Sequence, residues 1–192
     1  MLDRSRQWGR SVSQISKDHV LRYELALRYS TGRILDAACG CGYGSSLLAQ
    51  TGVVTGVDYS PDAIDWAEEH FAGPTYLLGR IEDSPWEGRF ETVVSLETIE
   101  HLPDPSKALK AFREACIGRF IASVPNEEWY PFKPEVFAKD DSPHFRHYTP
   151  EQFDELLTGH GFKVLERFCQ ESKQAPEVHS GTDGRFMVYV CA

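Results

Sequence analysis

The chain has 192 residues, a length typical of one compact domain, and its 41% hydrophobic and 26% charged residues are ordinary for soluble globular proteins. A net charge of −9 disfavours binding to nucleic acid, which requires a concentrated basic surface. No apolar run is long enough to span a bilayer, and residues 1–10 lack the apolar core of a signal peptide. We therefore expect a single cytoplasmic domain over residues 1–192, monomeric or homodimeric, that does not bind membranes.

The cysteines predict reduced thiols rather than a disulfide framework, because their number is odd and no secretory signal accompanies them. They are Cys39, Cys41, Cys116, Cys169 and Cys191. Cys39 and Cys41 form a C-x-C pair with no second pair nearby, so we expect no structural zinc site.

Helical and strand patterns alternate through the first half of the chain. An N-terminal helical segment, residues 1–30, contains an amphipathic helix over 13–29, and a second helix runs through Leu48. A third begins at Ser60 and Pro61, which are favoured at the N-cap and the first helical position. Buried strands are predicted over residues 33–37, 53–57, 75–78 and 90–96.

The second half continues this alternation. Helices are predicted over residues 105–115 and 149–159, and strands over 119–124, 162–168 and 185–190. We therefore predict a doubly wound, Rossmann-like α/β fold, in which a mostly parallel sheet lies between two helical layers (three-layer α/β/α). No helix separates the last two strands, so they are expected to form an antiparallel hairpin at one edge. Residues 171–184 are predicted to be a polar loop.

The glycine-rich stretch 34–44, which reads ILDAACGCGYG, connects a strand to a helix. Glycines there let the backbone approach a ligand, although alone they indicate only a tight turn. Asp58 ends the next strand, where a carboxylate can accept hydrogen bonds from both hydroxyls of a ribose. Asp58 is not needed as the helix N-cap, because Ser60 already supplies it. A dinucleotide dehydrogenase is disfavoured, because Ser45 replaces the third glycine of its fingerprint. The two features together predict a cofactor with a ribose.

These motifs resemble those of class I S-adenosylmethionine-dependent methyltransferases, in the small-molecule branch. The similar segments are 36–42, Asp58, 78–86 (LGRIEDSPW), 95–102 (SLETIEHL), 124–126 (VPN) and 147–151 (HYTPE). The resemblance implies S-adenosylmethionine as the cofactor and S-adenosylhomocysteine as its product. The cofactor contacts that it implies are Asp36, Ala38, Cys39, Gly40, Gly42, Asp58, Tyr59, Ile81, Glu82, Ser95 and Glu97.

The chain departs from the family pattern at two positions. Ala38 replaces the first glycine, which is an exchange of one small residue for another. Arg80 stands where the family has an acid that contacts the adenine amino group, and an arginine cannot accept that hydrogen bond. Glu82 or a backbone carbonyl is therefore expected to accept it, while the backbone N–H of Ile81 is still expected to donate a hydrogen bond to adenine.

His101 is the first candidate for a catalytic base, because it follows the fourth strand at the carboxyl edge of the sheet. Methyl transfer is an in-line displacement that depends mainly on alignment, and a base is needed only when the acceptor must lose a proton. Glu100 is the second catalytic candidate, to orient the His101 ring or to bind the acceptor. His101 could instead be a packing residue with no catalytic role. Glu97, which the resemblance makes a cofactor contact, could instead only stabilise its loop.

Residues 125–149 form an aperiodic connection predicted to be a lid over the acceptor, although its aromatic residues could also form a small local core. The candidate acceptor contacts are Asn126, Trp129, Tyr130, His144 and His147. His144 and His147, with Asp140 and Asp141, give only weak support for a metal, so none is expected.

The function predicted from these features is methyl transfer to a small molecule, at a hydroxyl oxygen of a sugar, quinol or natural product. Two alternatives remain at this point. One is a non-catalytic protein that binds S-adenosylmethionine and regulates a partner. The other is a nucleic-acid methyltransferase, which the acidic balance of the chain disfavours.

Overall fold

The computed structural model describes residues 6–83, 90–137 and 143–192. Within these ranges one sheet of eight strands has the order β3-β2-β1-β4-β5-β8-β6-β7. The strands are β1 Gly32–Ala37, β2 Gly52–Asp58, β3 Thr75–Leu78, β4 Phe90–Leu96, β5 Cys116–Pro125, β6 Val164–Gln170, β7 His179–Ser180 and β8 Phe186–Cys191. The first five strands pair in parallel and the remaining pairs are antiparallel. The predicted doubly wound α/β sheet with an antiparallel edge is confirmed.

Helices cover both faces of the sheet. They are α1 Lys17–Tyr29, α2 Tyr43–Leu48, α3 Pro61–His70, α4 Ser106–Ala115, α5 Pro134–Phe137 and α6 Pro150–Gly159. Successive strand residues point to opposite sides. One hydrophobic core lies between the sheet and helices α4 and α6, and a second lies between the opposite face and helices α1, α2 and α3. Neighbouring strand residues contribute to different cores: Leu35, Val93 and Phe120 to the first, and Ile34, Val94 and Ile121 to the second. The predicted three-layer arrangement follows.

The sequence predicted the helix starts best where a cap is present. The Ser60 hydroxyl accepts the N–H of Ala63, and Thr149 forms a reciprocal capping box with Gln152. Helix α1 begins at Lys17 rather than at residue 13, because a separate 3₁₀ turn occupies Val12–Gln14. Amphipathic periodicity does not distinguish that turn from the first turn of a helix.

The edge of the sheet differs in detail from the predicted hairpin. Strands β6 and β8 do pair, but β8 lies between β5 and β6, and the unpredicted β7 extends the edge. Every residue of Phe186–Cys191 is buried, which agrees with an interior position of β8 in the sheet, whereas Leu165 and Glu166 of β6 are exposed. Part of the segment predicted to be a loop therefore pairs as a strand.

The strand order reverses between β1 and β4, which both point their carboxyl ends to one side. In open α/β sheets, ligands bind in the crevice outside the strand ends at such a reversal. The fold thereby brings the glycine stretch after β1 next to the motif after β4. In the part of the chain that the structure describes, no helix is long and apolar enough to cross a membrane.

Candidate active site

The turn after β1 requires glycine at one position and leaves space at another. Gly42 has φ +85°, and a Cβ there would lie 2.6 Å from the Ala67 side chain and 2.8 Å from the Tyr76 hydroxyl. Gly40 has φ +55°, and among the described residues beyond its chain neighbours a Cβ there would meet only the Arg6 guanidinium within 4 Å, at 3.5 Å. Ala38 adopts φ 61° and is thus one of few non-glycine residues in this region. The turn is therefore packed tightly against the protein at Gly42 and has space on the crevice side at Gly40.

Asp36 lies beneath this turn and is fully buried. The Tyr23 hydroxyl donates to Oδ1 at 3.1 Å, and the Ser45 hydroxyl donates to Oδ2 at 2.6 Å. Burial raises the pKa of Asp36 to about 6, against the effect of both hydrogen bonds. Burial also raises the pKa of the neighbouring Cys39 thiol well above its usual value, so Cys39 is neutral. The carboxylate connects α1, β1 and α2.

Asp58 accepts four hydrogen bonds at the end of β2. The backbone N–H groups of Gly40 and Ser60 each donate at 2.9 Å. The Arg6 guanidinium forms a bidentate pair with both carboxylate oxygens at 3.0 Å, and the Asp58 side chain is only 1% exposed. Although burial alone would lower the pKa of Arg6, Asp58 raises it. Arg6 therefore occupies the oxygens that a ribose would need.

The segment around Arg6 is held against the end of β2 and helix α3. Arg6 lies 5.3 Å from the Tyr59 ring centroid, and Arg80 lies 5.7 Å from the same ring. The Trp66 indole donates to the carbonyl of Gly9 at 3.1 Å, and Trp8 packs edge-on against Trp66. These contacts place the N-terminal segment beside the crevice, which the sequence did not predict.

The segment predicted to contact adenine is partly described. Ile81 is buried at the start of the 3₁₀ turn Ile81–Asp83, and Glu82 is half-buried beside it. The N–H of Gly79 donates to the carbonyl of Asp58 at 2.9 Å, which joins this segment to β2. The rest of the motif, Ser84 to Trp86, lies outside the described residues.

Glu97 follows β4 in the left-handed region, with φ 51°. The Ser123 hydroxyl donates to its Oε1 at 2.8 Å, and its own N–H donates to the Ser123 hydroxyl at 3.0 Å. Burial raises the pKa of Glu97, while the positive charge of Arg22 opposes this shift. Ser95 is fully buried, and its hydroxyl has no hydrogen-bond partner among the described residues. Ser123 and Arg22, which stabilise Glu97, were not identified from the sequence.

The fold brings the two catalytic candidates next to two histidines of the long connection. The Nε2 of His101 lies 3.9 Å from Oε1 of Glu100, and the His101 and His144 rings pack edge-to-face at 4.4 Å. Nδ1 of His144 and Nε2 of His147 are 2.8 Å apart. Burial lowers the pKa of His144 to about 3 and raises that of Glu100 well above its usual value. The four side chains form a polar cluster in which Glu100 and His147 are buried and His101 and His144 are half-buried.

The other acceptor candidates divide into two groups. The ring of Tyr130 packs on His147, and the Arg185 guanidinium carbon lies 3.9 Å from the centroid of the Tyr130 ring. Asn126 is fully buried, its amide donates to the Thr182 carbonyl, and its oxygen accepts the N–H of Glu128. Trp129 is 52% exposed. Tyr130 therefore joins the cluster, while Asn126 fastens the loop to the sheet edge. Asp140 and Asp141, considered with the histidines, lie outside the described residues.

The strand order and this crevice define a nucleoside-cofactor-binding protein of the doubly wound α/β class. A family profile described as "Methyltransferase domain" matches residues 3–167, most of the chain. The chain therefore belongs to the class I S-adenosylmethionine-dependent methyltransferases, as the motifs predicted. The cofactor of this family is S-adenosylmethionine.

Curated relatives match part of the chain. The mitochondrial ubiquinone biosynthesis O-methyltransferase of Candida albicans is 32% identical over 107 residues, which is 50% of this chain and 33% of the relative. The ubiquinone biosynthesis O-methyltransferase of Xanthomonas euvesicatoria pv. vesicatoria is 34% identical over 92 residues, or 44% of this chain and 38% of the relative. The chain thus spans well under two thirds of the length of these relatives.

Solved structures share the fold over nearly the whole chain. A methyltransferase from Thermotoga maritima, described as a possible histamine N-methyltransferase, superposes with TM-score 0.73 at 23% identity. The superposition covers 91% of this chain and 90% of the Thermotoga chain. Magnesium protoporphyrin IX methyltransferase from Synechocystis with bound S-adenosylmethionine superposes with TM-score 0.63 at 19% identity, over 91% of this chain and 76% of its own. At these identities the likeness extends to the fold alone.

Proposed function

We propose that the chain transfers a methyl group from S-adenosylmethionine to a hydroxyl oxygen of a small molecule, of the quinol, sugar or natural-product type. The observation that supports this proposal is that Asp58 and the glycine turn lie at the same carboxyl edge of the parallel strands as Glu100 and His101. The names of two relatives, which describe O-methyltransferases, support oxygen as the acceptor atom.

The cofactor half of the proposal rests on the β1 and β2 ends. S-adenosylmethionine supplies a methyl group that its positively charged sulfur makes electrophilic. Asp58 binds the ribose hydroxyls once Arg6 has withdrawn, and the open side of Gly40 admits the cofactor close to the backbone. The remaining proposed contacts are Asp36, Ala38, Cys39, Gly42, Tyr59, Ile81, Glu82, Ser95 and Glu97.

The acceptor half rests on the cluster after β4. Glu100 and His101 lie where the acceptor hydroxyl gives up its proton, and Tyr130, His144 and His147 form the adjoining wall. The connection 125–149, of which residues 138–142 lie outside the described ranges, acts as the lid that excludes water from this region, as in many enzymes whose loops close over a substrate. A hydroxyl needs such a cluster because it reacts well only after deprotonation.

The test combines methyl-labelled S-adenosylmethionine with a panel of phenols, sugars, amines and thiols, and measures S-adenosylhomocysteine and the methylated atom. We expect transfer to a hydroxyl, and a kcat lowered by at least about a hundredfold in His101→Ala with the cofactor Kd unchanged. Transfer only to amines or thiols would refute the oxygen assignment. Cofactor binding without transfer to any acceptor, in a cell extract as well, would refute the enzyme and favour the non-catalytic alternative.

A further inference from the structure

Three side chains at the acceptor edge bring metal-ligating atoms together from two separate segments. Glu100 and His101 belong to the 3₁₀ turn Ile99–His101 after β4, and His144 belongs to the connection before α6. One ligand atom from each lies within 4.8 Å of the others. We call this group the His₂Glu cluster.

Glu100 is the member that requires an explanation. Its side chain is fully buried, and neither carboxylate oxygen has a hydrogen-bond partner among the residues described. Its main-chain carbonyl accepts the N–H of Phe145, but this bond does nothing for the carboxylate. An ionised carboxylate without a compensating cation or donor is strongly disfavoured in such surroundings. Glu100 is therefore either protonated or paired with a cation.

The hydrogen bonds behind the histidines determine which ring nitrogens carry protons. The carbonyl of Tyr130 can only accept, so Nδ1 of His147 donates to it at 2.5 Å. In a neutral ring Nε2 of His147 is then the acceptor, and Nδ1 of His144 donates to it at 2.8 Å. The second nitrogen of neutral His144, Nε2, consequently carries a lone pair.

A backbone carbonyl determines the proton position of His101 in the same way. Its Nδ1 lies 3.3 Å from the carbonyl of Pro143, which can only accept, so Nδ1 carries the proton of the neutral ring. Nε2 then carries the lone pair and lies 3.9 Å from Oε1 of Glu100. Support of a ligating histidine through its other nitrogen, by a carbonyl or a further polar group, is the usual arrangement around protein metal sites.

We propose that the His₂Glu cluster binds one divalent cation of the zinc type, through Glu100, His101 and His144. Two imidazoles with one carboxylate suit zinc and its transition-metal neighbours, whereas magnesium and calcium prefer oxygen ligands throughout. Ligands of tetrahedral zinc lie about 3.3 Å apart, so His101 and Glu100 need to approach by less than about 1 Å.

The cation has a use that rests on the proposed function. Within the described ranges three protein ligands leave a fourth position open, as in catalytic zinc sites. An acceptor hydroxyl in that position would have a lowered pKa and would release its proton to solvent as it binds, before the lid excludes water. The resulting oxygen anion would take the methyl group, and the C–S electron pair would stay on sulfur. Metal binding itself requires neither acceptor nor turnover, so it can be tested independently.

The experiment titrates Zn²⁺ into chelator-treated, dialysed full-length chain by calorimetry, and Co²⁺ in parallel by visible absorption. We expect one Zn²⁺ per chain and the intense Co²⁺ bands of a four- or five-coordinate site. Glu100→Gln and His144→Ala should each weaken Zn²⁺ binding by at least about a hundredfold, and His147→Ala by about tenfold through loss of ring support. His179→Ala removes an exposed histidine of β7 and should leave the affinity unchanged.

S-adenosylmethionine binding, measured on the metal-free variants, reports whether each is folded and keeps this proposal separate from the cofactor assignment. No uptake by the wild type, or equal affinity in Glu100→Gln and His144→Ala, would overturn the metal site and leave the Glu100 carboxyl protonated instead. A loss caused equally by His179→Ala would mean binding at surface histidines and would overturn it as well.

Discussion

At the scale of single residues, Asp58 has two competing partners. The Arg6 guanidinium satisfies both carboxylate oxygens in the described structure, and the proposed ribose contact needs the same oxygens. Only one of them can be bound at a time, so under the proposed function Arg6 would be an intramolecular competitor of the cofactor. The apparent affinity is reduced by the fraction of molecules in which Arg6 holds Asp58.

The first prediction concerns this competition. Arg6→Ala should tighten S-adenosylmethionine binding by about tenfold, because the nearly buried Asp58 loses its internal partner while the ribose hydroxyls can still replace it. Asp58→Ala should weaken binding by at least about a hundredfold. Calorimetry measures both, and Arg10→Ala, which removes a neighbouring arginine packed on Trp66, is the matched control. Weaker binding by Arg6→Ala would show that Arg6 assists the cofactor rather than competing with it.

A second prediction concerns pH and Asp36. Its pKa is raised from 3.8 to about 6 by burial, so the folded state holds a proton that the unfolded chain releases. The raised pKa contributes about 3 kcal/mol to the free energy of unfolding. This contribution is fully present below pH 3.8 and is lost as the pH rises through about 6. The difference in unfolding free energy between wild type and Asp36→Asn should change over this interval and stay constant above pH 7. Urea titrations at several pH values measure it, and a difference independent of pH would contradict the raised pKa.

At the scale of elements, α1 and α2 are positioned by one close contact. A Cβ on Gly44 of α2 would lie 2.1 Å from Cζ of Tyr23, whose hydroxyl donates to Asp36. Helix α1 can therefore approach the glycine turn only because position 44 has no side chain. This third glycine of the stretch serves helix packing, while Gly40 and Gly42 shape the turn.

The third prediction follows from that contact. Gly44→Ala should destabilise the protein by about 2 kcal/mol or more, because the Tyr23 ring must move and its bond to Asp36 is strained. Gly159→Ala, at the end of α6 with nothing within 4 Å of the new Cβ, should be neutral or stabilising by up to about 1 kcal/mol. Denaturant unfolding of the two variants checks the contrast, and equal effects would show that the α1–α2 approach is not tight.

At the scale of the whole molecule, the cofactor crevice is built from elements distant in sequence. The turn after β1 and the end of β2 meet there, so a ligand that binds both of them stabilises the sheet and the helical layer of α1, α2 and α3 together. The crevice therefore forms only in the folded state, and ligand binding adds directly to the free energy of unfolding.

The fourth prediction uses this linkage. S-adenosylhomocysteine at 100 times its Kd should add about 2.7 kcal/mol to the stability, which raises the Tm by about 5–10 °C for a chain of this size. Thermal unfolding by circular dichroism measures the shift. Asp58→Ala at the same ligand concentration should show little shift, and an equal shift in both proteins would place the ligand elsewhere.

Much of the fold was predictable because local patterns and burial agree along most of the chain. The β strands of the parallel half, the caps at Ser60 and Thr149 and the crevice residue Asp58 all followed from the sequence. The insertion of β8 between β5 and β6 did not follow, because strand order depends on which surfaces remain to be covered. Amphipathic patterning carries no information about the neighbour that covers a face.

The sequence by itself determined the class of fold and the cofactor, and it predicted the edge of the sheet for the candidate site, since these depend on alternation of elements and on glycines and acids within short segments. Tertiary structure alone decided that Arg6 pairs with Asp58, that Ser123 supports Glu97, and that His144 joins Glu100 and His101. Each of these contacts joins residues 26 to 52 positions apart or brings in a separate loop. Spacing along the chain cannot encode them, because they form only when the packed sheet brings the ends of different strands together.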